Sequence, residues 1–303
     1  MAIHFGDLNI AYNFGNPLKT VETVKQAIRL GYDVIAVNVD LGDLLEPLPS
    51  TSAQEKRPQK GPKRKMKPIP EPCRIPPADI DEVVPYLNFC PGASEAQIRR
   101  RRVRQLSRIS ARIGETGWIH AFLKHETVQR YDVIAVLPEN EVVLQSLLKR
   151  PSELDLISFD PARRPFWINR TKLLRQAVAL GLTFDLPYAL ALPTVNLETS
   201  EFGLSEDRLV RRQVLSTARQ LLGVTRGQGL LLTSGAGGPQ SLRSPHDVAN
   251  MSIAFGWTPP DGMRALSRQV ESGRSCREEP CISALLTDMP QLVSFVGFVL
   301  FKC

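Results

Sequence analysis

The hexapeptide YDVIAV occurs twice in this chain, at residues 32–37 and again at residues 131–136. In both copies an aromatic residue and an aspartate precede four apolar, β-prone residues. Nearly continuous apolar runs of this length are typical of strands that are buried on both faces, as in a parallel sheet. Related runs occur at residues 3–10, 154–159, 182–188 and 229–234, with a less regular one at 112–122.

Segments with helical periodicity separate these runs. Residues 17–31 carry apolar side chains on one face, with proline at the start and glycine at the end, where helices favour them. Similar patterns cover residues 139–150, 170–181, 205–224, 244–256 and 259–273, and Ser205 is expected to begin its helix.

The regular alternation of strand and helix predicts parallel βαβ units. Six or seven units without a glycine-rich dinucleotide turn favour an α/β fold of the distorted TIM-like (βα) barrel type, with a doubly wound open sheet as the alternative. The repeated hexapeptide then reflects the same packing demand on two buried strands. Duplication of a half-barrel would also produce a repeat, but one match of this length does not establish it.

The predicted barrel is a single domain over residues 1–277, interrupted twice. Residues 46–85 are dense in Pro, Lys and Arg and poor in apolar residues, which predicts a mostly disordered insertion. An arginine-rich segment follows at residues 92–105. The tail at residues 278–303 is apolar but too short to span a bilayer, so we expect it to pack on the barrel or on a partner.

The net charge indicates the class of binding partner, and the cysteine count indicates the redox state of the compartment. The net charge is +7 and the pI about 9.3, which favours a polyanionic partner, and nucleic acid rather than a membrane surface. No signal peptide is expected at the start, and an odd cysteine count fits a reducing compartment. Cys276 and Cys281 have no second pair nearby, which argues against a zinc site.

Few reactive side chains fall where barrel enzymes place theirs, at the carboxyl ends of strands. Asn38, Asp40, Asp160 and the turn at residues 233–236 are the candidates, whereas Asp33 and Asp132 begin their strands and are expected to be structural. His4 and Asp7 form the best metal-ligand pair, and two residues do not make a metal cage. We therefore predict no protein-bound metal or cofactor. A stand-alone metal-dependent phosphoesterase is the alternative function, and a phosphate-binding turn at residues 234–238 is a weaker one.

Two basic clusters are the clearest functional signal. The first is the candidate RNA-binding set, Arg99, Arg100, Arg101, Arg102, Arg104, Arg108 and Arg112. The second is read either as a nuclear-import signal or as an RNA contact, and comprises Lys56, Arg57, Lys60, Lys63, Arg64, Lys65 and Lys67. Such blocks repel themselves unless they are solvated or face phosphate, which the planar guanidinium matches well. The pairs 163–164 and 211–212 are smaller versions.

An ordered series of blocks resembles a known family. GYDVIAVN, YDVIAVLP, LDLISFD, GLTFDLPYA, LLLTSGA and SPHDVANMSIAFG resemble the barrel-type, roughly thirty-kilodalton protein subunit of nuclear and archaeal ribonuclease P, shared with ribonuclease MRP. The match runs from FGDLNI to about Arg274, apart from the proline-rich insertion. The insertion and the arginine-rich segment are longer than that family leads us to expect, and the tail from Glu278 does not match.

The resemblance implies a barrel related to the polymerase-and-histidinol-phosphatase type, with that superfamily's metal ligands largely lost. It also implies a ribonucleoprotein that removes the 5′ leader of precursor tRNA, acts in rRNA processing as ribonuclease MRP, and resides in the nucleus and nucleolus. In such enzymes the RNA carries the catalytic Mg²⁺ ions. The implied partners are the ribonuclease P and MRP RNAs, precursor tRNA and a smaller protein subunit. No catalytic residue is implied in this chain.

Overall fold

The computed structural model describes residues 5–46, 65–80, 83, 103–160, 164–192 and 201–267, with side chains omitted at 78 and 201–207. Within these residues, seven parallel strands lie side by side in chain order. They are β1 Gly6–Ala11, β2 Val34–Asp43, β3 Arg104–Ile113, β4 Val133–Pro138, β5 Leu156–Ile157, β6 Thr183–Pro187 and β7 Leu230–Thr233. The predicted α/β TIM-like barrel is confirmed.

The two ends of the sheet meet just beyond β7. Ile10 of β1 and Ala236 form a parallel bridge, and the Ala11 amide donates to the Ala236 carbonyl at 3.0 Å. The sequential strand order and this bridge rule out the doubly wound open sheet. The barrel is therefore nearly closed, with a narrow seam between its first and last strands.

Helices surround the sheet in the order expected for βα units. They are α1 Pro17–Leu30, α2 Gly117–Leu123, α3 Glu126–Gln129, α4 Glu141–Leu148, α5 Thr171–Ala179, α6 Glu201–Thr225, α7 Pro245–Phe255 and α8 Pro259–Ser267. Asn16 caps α1 by accepting from the Lys19 amide, and Ser244 caps α7 by accepting from the Asp247 amide. The prediction that Ser205 begins its helix was wrong, because α6 begins at Glu201.

Two apolar layers hold the barrel together. Alternate side chains point into the barrel, where a compact cluster fills its lower half: Leu8, Val34, Ala36, Leu106, Val133, Ala135, Leu156 and Leu231. The residues between them, such as Ile35 and Ile134, face the helices and join a much larger core. Because the lower half is packed with apolar side chains, the polar interior is confined to the upper half, at the carboxyl ends of the strands.

The third strand differs from the sequence prediction. Residues 112–122 were expected to form it, but β3 runs over Arg104–Ile113 and Gly117–Leu123 is helical. Strand β3 therefore lies inside the arginine-rich region and takes in the last two residues of the predicted 92–105 segment. Along it, Leu106 belongs to the inner cluster and Ile109 to the outer core. The inward-facing positions of β3 carry arginines. The sequence therefore does not show the pattern of apolar residues that predicts a buried strand.

The aspartates of the two hexapeptides have the structural role predicted for them. The Asp33 carboxylate accepts the Phe5 amide at 3.1 Å, and the Asp132 carboxylate accepts the Ser107 amide at 2.7 Å. Asp155 does the same for the Ile134 amide at 3.0 Å. Each carboxylate accepts a hydrogen bond from a backbone N–H of the neighbouring strand at the lower end of the barrel. The backbone hydrogen bonds between strands are incomplete at that end.

Part of the predicted 46–85 insertion has a defined path along the barrel. Met66 forms an antiparallel bridge with Leu45, and the Ile75 amide and carbonyl both bond to the side chain of Gln105 on β3, at 3.0 and 2.8 Å. Arg74 pairs with Asp132 at 2.8 Å. Residues 65–80 are thus ordered, and the rest of the insertion lies outside the described residues, apart from Glu46 and Val83. No helix among the described residues is long and apolar enough to cross a membrane.

Candidate functional site

A polar cleft of about 350 Å³ opens at the carboxyl ends of the strands. Its lining comes from β1, β2, β3, β4 and β6, together with the segments that follow β5, β6 and β7. The polar residues that line it are Asn9, Asn38, Asp40, Arg108, Ser110, Arg112, Ser158, Asp160 and Asp185. The structure thus brings together Asn38, Asp40 and Asp160, which the sequence assigned to this end of the barrel together with the turn at residues 233–236, and Gly235 of that turn also lines the cleft.

An ion pair between Arg108 and Asp185 lies at the floor of the cleft. Both side chains are 1% exposed, and the Arg108 Nη2 atom lies 2.5 Å from the Asp185 Oδ2 atom. Arg108 also donates to the Leu8 carbonyl at 3.0 Å and to the Ser158 hydroxyl at 2.9 Å. A guanidinium on β3 therefore joins β1, β6 and the residue that follows β5 across the barrel.

Neutral side chains complete the shell around Asp185. Thr233 donates to the Asp185 Oδ1 atom at 2.5 Å, while Asn9 and Ser158 donate to the Oδ2 atom at 3.3 and 3.2 Å. Asn38 in turn donates to Asn9 at 2.9 Å. The Asp185 carboxylate accepts from several donors at once, so its buried charge is both paired and solvated by the protein.

Asp7 lies nearby, on the seam side of the barrel. Its Oδ1 atom accepts the amides of Asn9 and Ser234 at 3.1 and 3.0 Å, and its Oδ2 atom is buried without a partner. Burial raises the pKa of Asp7, the bonds to Ser234 and Asn9 oppose that rise, and the charge on Asp185 adds to it. The sequence paired Asp7 with His4, which lies outside the described residues.

The polar side chains at the carboxyl ends of the strands are arranged to bind a guanidinium rather than a metal ion. Divalent-cation sites in hydrolases are built from clustered carboxylates and imidazoles. The described residues contain no group of three or more His, Cys, Asp or Glu side chains placed to hold a metal ion. Arg108 occupies the position beside Asp185, and its fixed positive charge opposes a second cation there.

The glycine-containing turn after β7 uses its amides inside the fold. The Ser234 amide donates to Asp7, and the Ala236 amide donates to the Ser234 hydroxyl at 3.1 Å. Gly235 has a φ of 63°, and a Cβ there would lie 2.8 Å from the Pro187 Cβ atom. These contacts show that the turn closes the barrel seam, which weakens its assignment as a phosphate cradle.

The predicted arginine cluster is divided by the structure. Arg99, Arg100, Arg101 and Arg102 lie outside the described residues. Arg104 begins β3 and is half-buried. Arg112 is 30% exposed at the cleft, 3.4 Å from Asp43 and 3.8 Å from Asp160. Arg108 requires a correction, because a side chain enclosed within the barrel cannot reach RNA phosphate.

The second basic cluster is described only at its end. Lys56, Arg57, Lys60, Lys63 and Arg64 lie outside the described residues. Lys65 is exposed, and its carbonyl accepts the Glu46 amide at 3.0 Å. Lys67 donates from its Nζ atom to the Leu41 carbonyl at 3.1 Å. Lys65 therefore has an exposed side chain, whereas the Lys67 side chain holds the ordered part of the insertion against the carboxyl-terminal end of β2.

Sequence reasoning gave too little weight to a basic surface on α6. Arg211 and Arg212 were noted as a minor pair, but the structure places them beside Arg208 and Arg219 along one cleft. The signal was present in the spacing, because positions three, four and seven residues apart share a face of a helix. Asn9 and Asp185 were also missed, since their importance depends on the distant Arg108.

Comparisons with known proteins match this description. A family model described as RNase P subunit p30 matches residues 4–273. The mouse protein named ribonuclease P protein subunit p30 is 26% identical over 268 residues, covering 87% of this chain and 82% of the mouse protein. The Dictyostelium discoideum ribonuclease P protein subunit drpp30 is 29% identical over 141 residues, covering 46% of this chain and 34% of its own length.

Two solved structures align with this chain. A chain of archaeal ribonuclease P with mature tRNA, determined by cryo-electron microscopy, aligns over 98% of both chains with a TM-score of 0.49 and 10% identity. The crystal structure of Aspergillus niger ochratoxinase aligns over 90% of this chain and 72% of its own, with a TM-score of 0.50 and 9% identity. The ochratoxinase likeness concerns the fold alone.

Proposed function

The chain belongs to the RNase P subunit p30 family, and on that premise we propose that it serves as a protein subunit of the ribonuclease P ribonucleoprotein. The observation that carries the proposal is the match of that family over residues 4–273, nearly the whole predicted barrel. A protein of this family supports cleavage of the 5′ leader of precursor tRNA by an RNA-based enzyme. The basic net charge of +7 suits a polypeptide that works against RNA.

The centre of the barrel supports a role other than phosphodiester cleavage by the protein. A catalytic metal ion would generate a nucleophilic hydroxide and stabilise the developing charge of the leaving oxygen. Here Arg108 and Asp185 neutralise each other, and the guanidinium is held by three acceptors, the Leu8 carbonyl, the Ser158 hydroxyl and the Asp185 carboxylate. The ion pair thus serves the integrity of the scaffold. We assign the catalytic Mg²⁺ ions to the RNA partner.

RNA and at least one other protein are the proposed partners. More finely, we propose the ribonuclease P RNA and the MRP RNA, precursor tRNA through the complex, and a smaller protein subunit. The work would take place in the nucleus, including the nucleolus, and the lysine-rich cluster 56–67 would act either in import or in RNA contact. Of the predicted arginines, Arg99, Arg100, Arg101, Arg102, Arg104 and Arg112 remain candidates for RNA, and Arg108 does not.

The test is recovery of the chain from cells of its own source through an affinity tag, followed by sequencing of the bound RNA. Enrichment of ribonuclease P and MRP RNAs over a tag-only control is expected. The eluate should cleave the 5′ leader of precursor tRNA, and nuclease treatment should abolish that activity. Recombinant chain freed of RNA should be inactive. Cleavage by the RNA-free chain with Mn²⁺ or Zn²⁺ would instead support the metal-dependent phosphoesterase.

A further inference from the structure

A row of arginines runs along α6 beside its buried face. The helix packs on the barrel through Val214, Ala218 and Leu221, which are at most 1% exposed. Immediately next to that face lie four arginines, followed by a fifth just past the helix end. Together they define what we call the arginine groove: Arg208, Arg211, Arg212, Arg219 and Arg226. From Arg208 to Arg219 the row extends about 16 Å at the rise of an α-helix.

The arginine groove consists of two adjoining clefts in the protein surface. Two adjoining clefts of about 490 and 570 Å³ share Arg219 as a common wall. The first holds Arg208, Arg211 and Arg212, and the second is completed by Arg226 and by the segment that joins α7 to α8. The Arg219 Nε atom donates to the Ala254 carbonyl of α7 at 3.2 Å, which fixes this arginine between the two clefts.

The positive charge in the groove is largely uncompensated within the described chain. Among the described residues, no salt bridge joins a carboxylate to Arg208, Arg211, Arg212 or Arg226. The Nε atom of Arg211 is buried without a hydrogen-bond partner. By contrast, the exposed Arg130 is paired with Glu71 at 3.0 Å and with Glu126 at 2.6 Å. The guanidinium groups of such a row repel one another, and a facing anion would relieve that repulsion.

Arg226 adds a second, independent observation. Its φ is 55°, and it is the one non-glycine residue of the described chain in the left-handed region. Glycine is the usual residue just after a helix in this conformation, and another side chain costs about 1–2 kcal/mol there. Gly227 and Gly229, with φ values of 73° and 60°, occupy the same turn. A non-glycine residue in this sparsely populated conformation is a candidate functional residue, and Arg226 lines the second cleft.

We propose that the arginine groove binds the sugar-phosphate backbone of RNA, an inference that rests on the proposed function. Guanidinium groups at successive turns of a helix match phosphates in a row, and such contacts position an RNA without reading its sequence. A protein-docking surface needs an apolar or aromatic centre. The first cleft has only the partly buried Leu215 among its arginines, together with Ser216, and so favours RNA.

The experiment compares two triple variants of the full chain, each three charges less positive. Arg208→Ala/Arg211→Ala/Arg212→Ala removes three unpaired arginines of the groove. Arg74→Ala/Arg130→Ala/Arg150→Ala removes three exposed arginines that are paired with acidic residues on another part of the barrel. Binding to a labelled transcript of the ribonuclease P RNA is measured from low to moderate salt. Circular dichroism confirms that both variants are folded.

The groove variant is expected to flatten the plot of log affinity against log salt by about 2–3 units, at roughly 0.7–0.9 per lost phosphate contact. The matched control keeps the wild-type slope. Arg226→Gly should weaken binding several-fold while thermal stability stays level or rises, and Arg226→Lys should restore most of the binding. A purely structural arginine would not separate affinity from stability in this way.

Three results would overturn the inference. An unchanged slope for the groove variant would remove this surface from the RNA interface while leaving the proposed function intact. Loss of a co-purifying protein at an unchanged slope would assign the groove to an acidic protein partner. Failure of the wild-type chain to bind the transcript would defeat the inference together with direct RNA binding by the chain. The family-based role would then be judged by the RNA recovered from cells.

Discussion

Arg108 of β3 and Asp185 of β6 form a fully buried ion pair, with 2.5 Å between the Nη2 and Oδ2 atoms, across a separation of 77 residues in the chain. The pair crosses the interior of the barrel between strands that do not touch as neighbours in the sheet. Removing either partner would leave the other charge buried and unpaired. Both residues are therefore as important for the stability of the upper half of the barrel interior as an apolar cluster is.

The first prediction concerns that pair. Arg108→Met leaves the Asp185 charge without its cation, and the free energy of unfolding should fall by about 3–5 kcal/mol. Arg112 lies on the same strand, is 30% exposed and makes longer ion pairs, so Arg112→Met should cost about 1 kcal/mol or less. Urea denaturation followed by circular dichroism measures both. The double variant Arg108→Met/Asp185→Leu should recover part of the loss, and equal effects of the two single arginine variants would contradict this account.

The second prediction tests the lower edge of the barrel. The Asp132 carboxylate accepts from both the amide and the hydroxyl of Ser107. Asp132→Ala therefore leaves a partly buried N–H unsatisfied and should lower the free energy of unfolding by about 1–3 kcal/mol. Asp132→Asn keeps one acceptor oxygen and should cost less. Equal stability of the alanine variant and the wild type would show that water replaces the carboxylate.

The third prediction concerns pH. Burial raises the pKa of Asp7 above its ordinary value of 3.8, so the folded protein holds this proton more tightly than the unfolded chain. Stability from this group is greatest below that ordinary value and is lost as pH rises through the native pKa. Asp7→Asn removes the titration while keeping an oxygen for the Ser234 amide. At pH 7 the variant should be at least as stable as the wild type.

That advantage should shrink as pH falls toward 4, because the wild-type carboxyl then becomes neutral as well. Chemical denaturation of both proteins at a series of pH values provides the measurement, and carbon NMR of the labelled Asp7 carboxyl gives the native pKa directly. A gap between the two proteins that widens on acidification would show that Asp7 is held ionised.

The fourth prediction separates the two basic clusters. Replacing Arg99, Arg100, Arg101 and Arg102 by alanine should reduce the salt slope for ribonuclease P RNA by about 3 units, at roughly 0.7 per single-strand phosphate contact. Replacing Lys56, Arg57, Lys60 and Lys63 by alanine is the charge-matched comparison. An import signal predicts loss of nuclear accumulation at an unchanged RNA slope, whereas an RNA contact predicts a flatter slope.

The pattern of the sequence predicted the barrel because its signals are local. Buried parallel strands need continuous apolar runs, and both hexapeptides supplied them at β2 and β4. The same logic placed Asn38, Asp40 and Asp160 at one end of the barrel, since parallel strands share the direction of their carboxyl ends. These inferences needed no knowledge of any distant contact.

Burial of a charge is not a local property, and here the sequence was misleading. Arg108 was read with its neighbours as an exposed basic cluster, because nothing near it shows that Asp185 will meet it. The alternation of Leu106, Arg108 and Ser110 on the inner side of β3 was the available signal. Residues 65–80 were misjudged for a similar reason, since Ile75 and Ile80 are buried although prolines and charged residues surround them.

The two hexapeptides begin strands that are separated by a single strand, β3, and their aspartates perform the same task on different neighbours. A duplication of a half-barrel would have placed the two copies farther apart around the barrel. The likeness between these two segments is therefore better explained by convergence. The same steric and hydrogen-bonding environment occurs at both strands and favours the same residues.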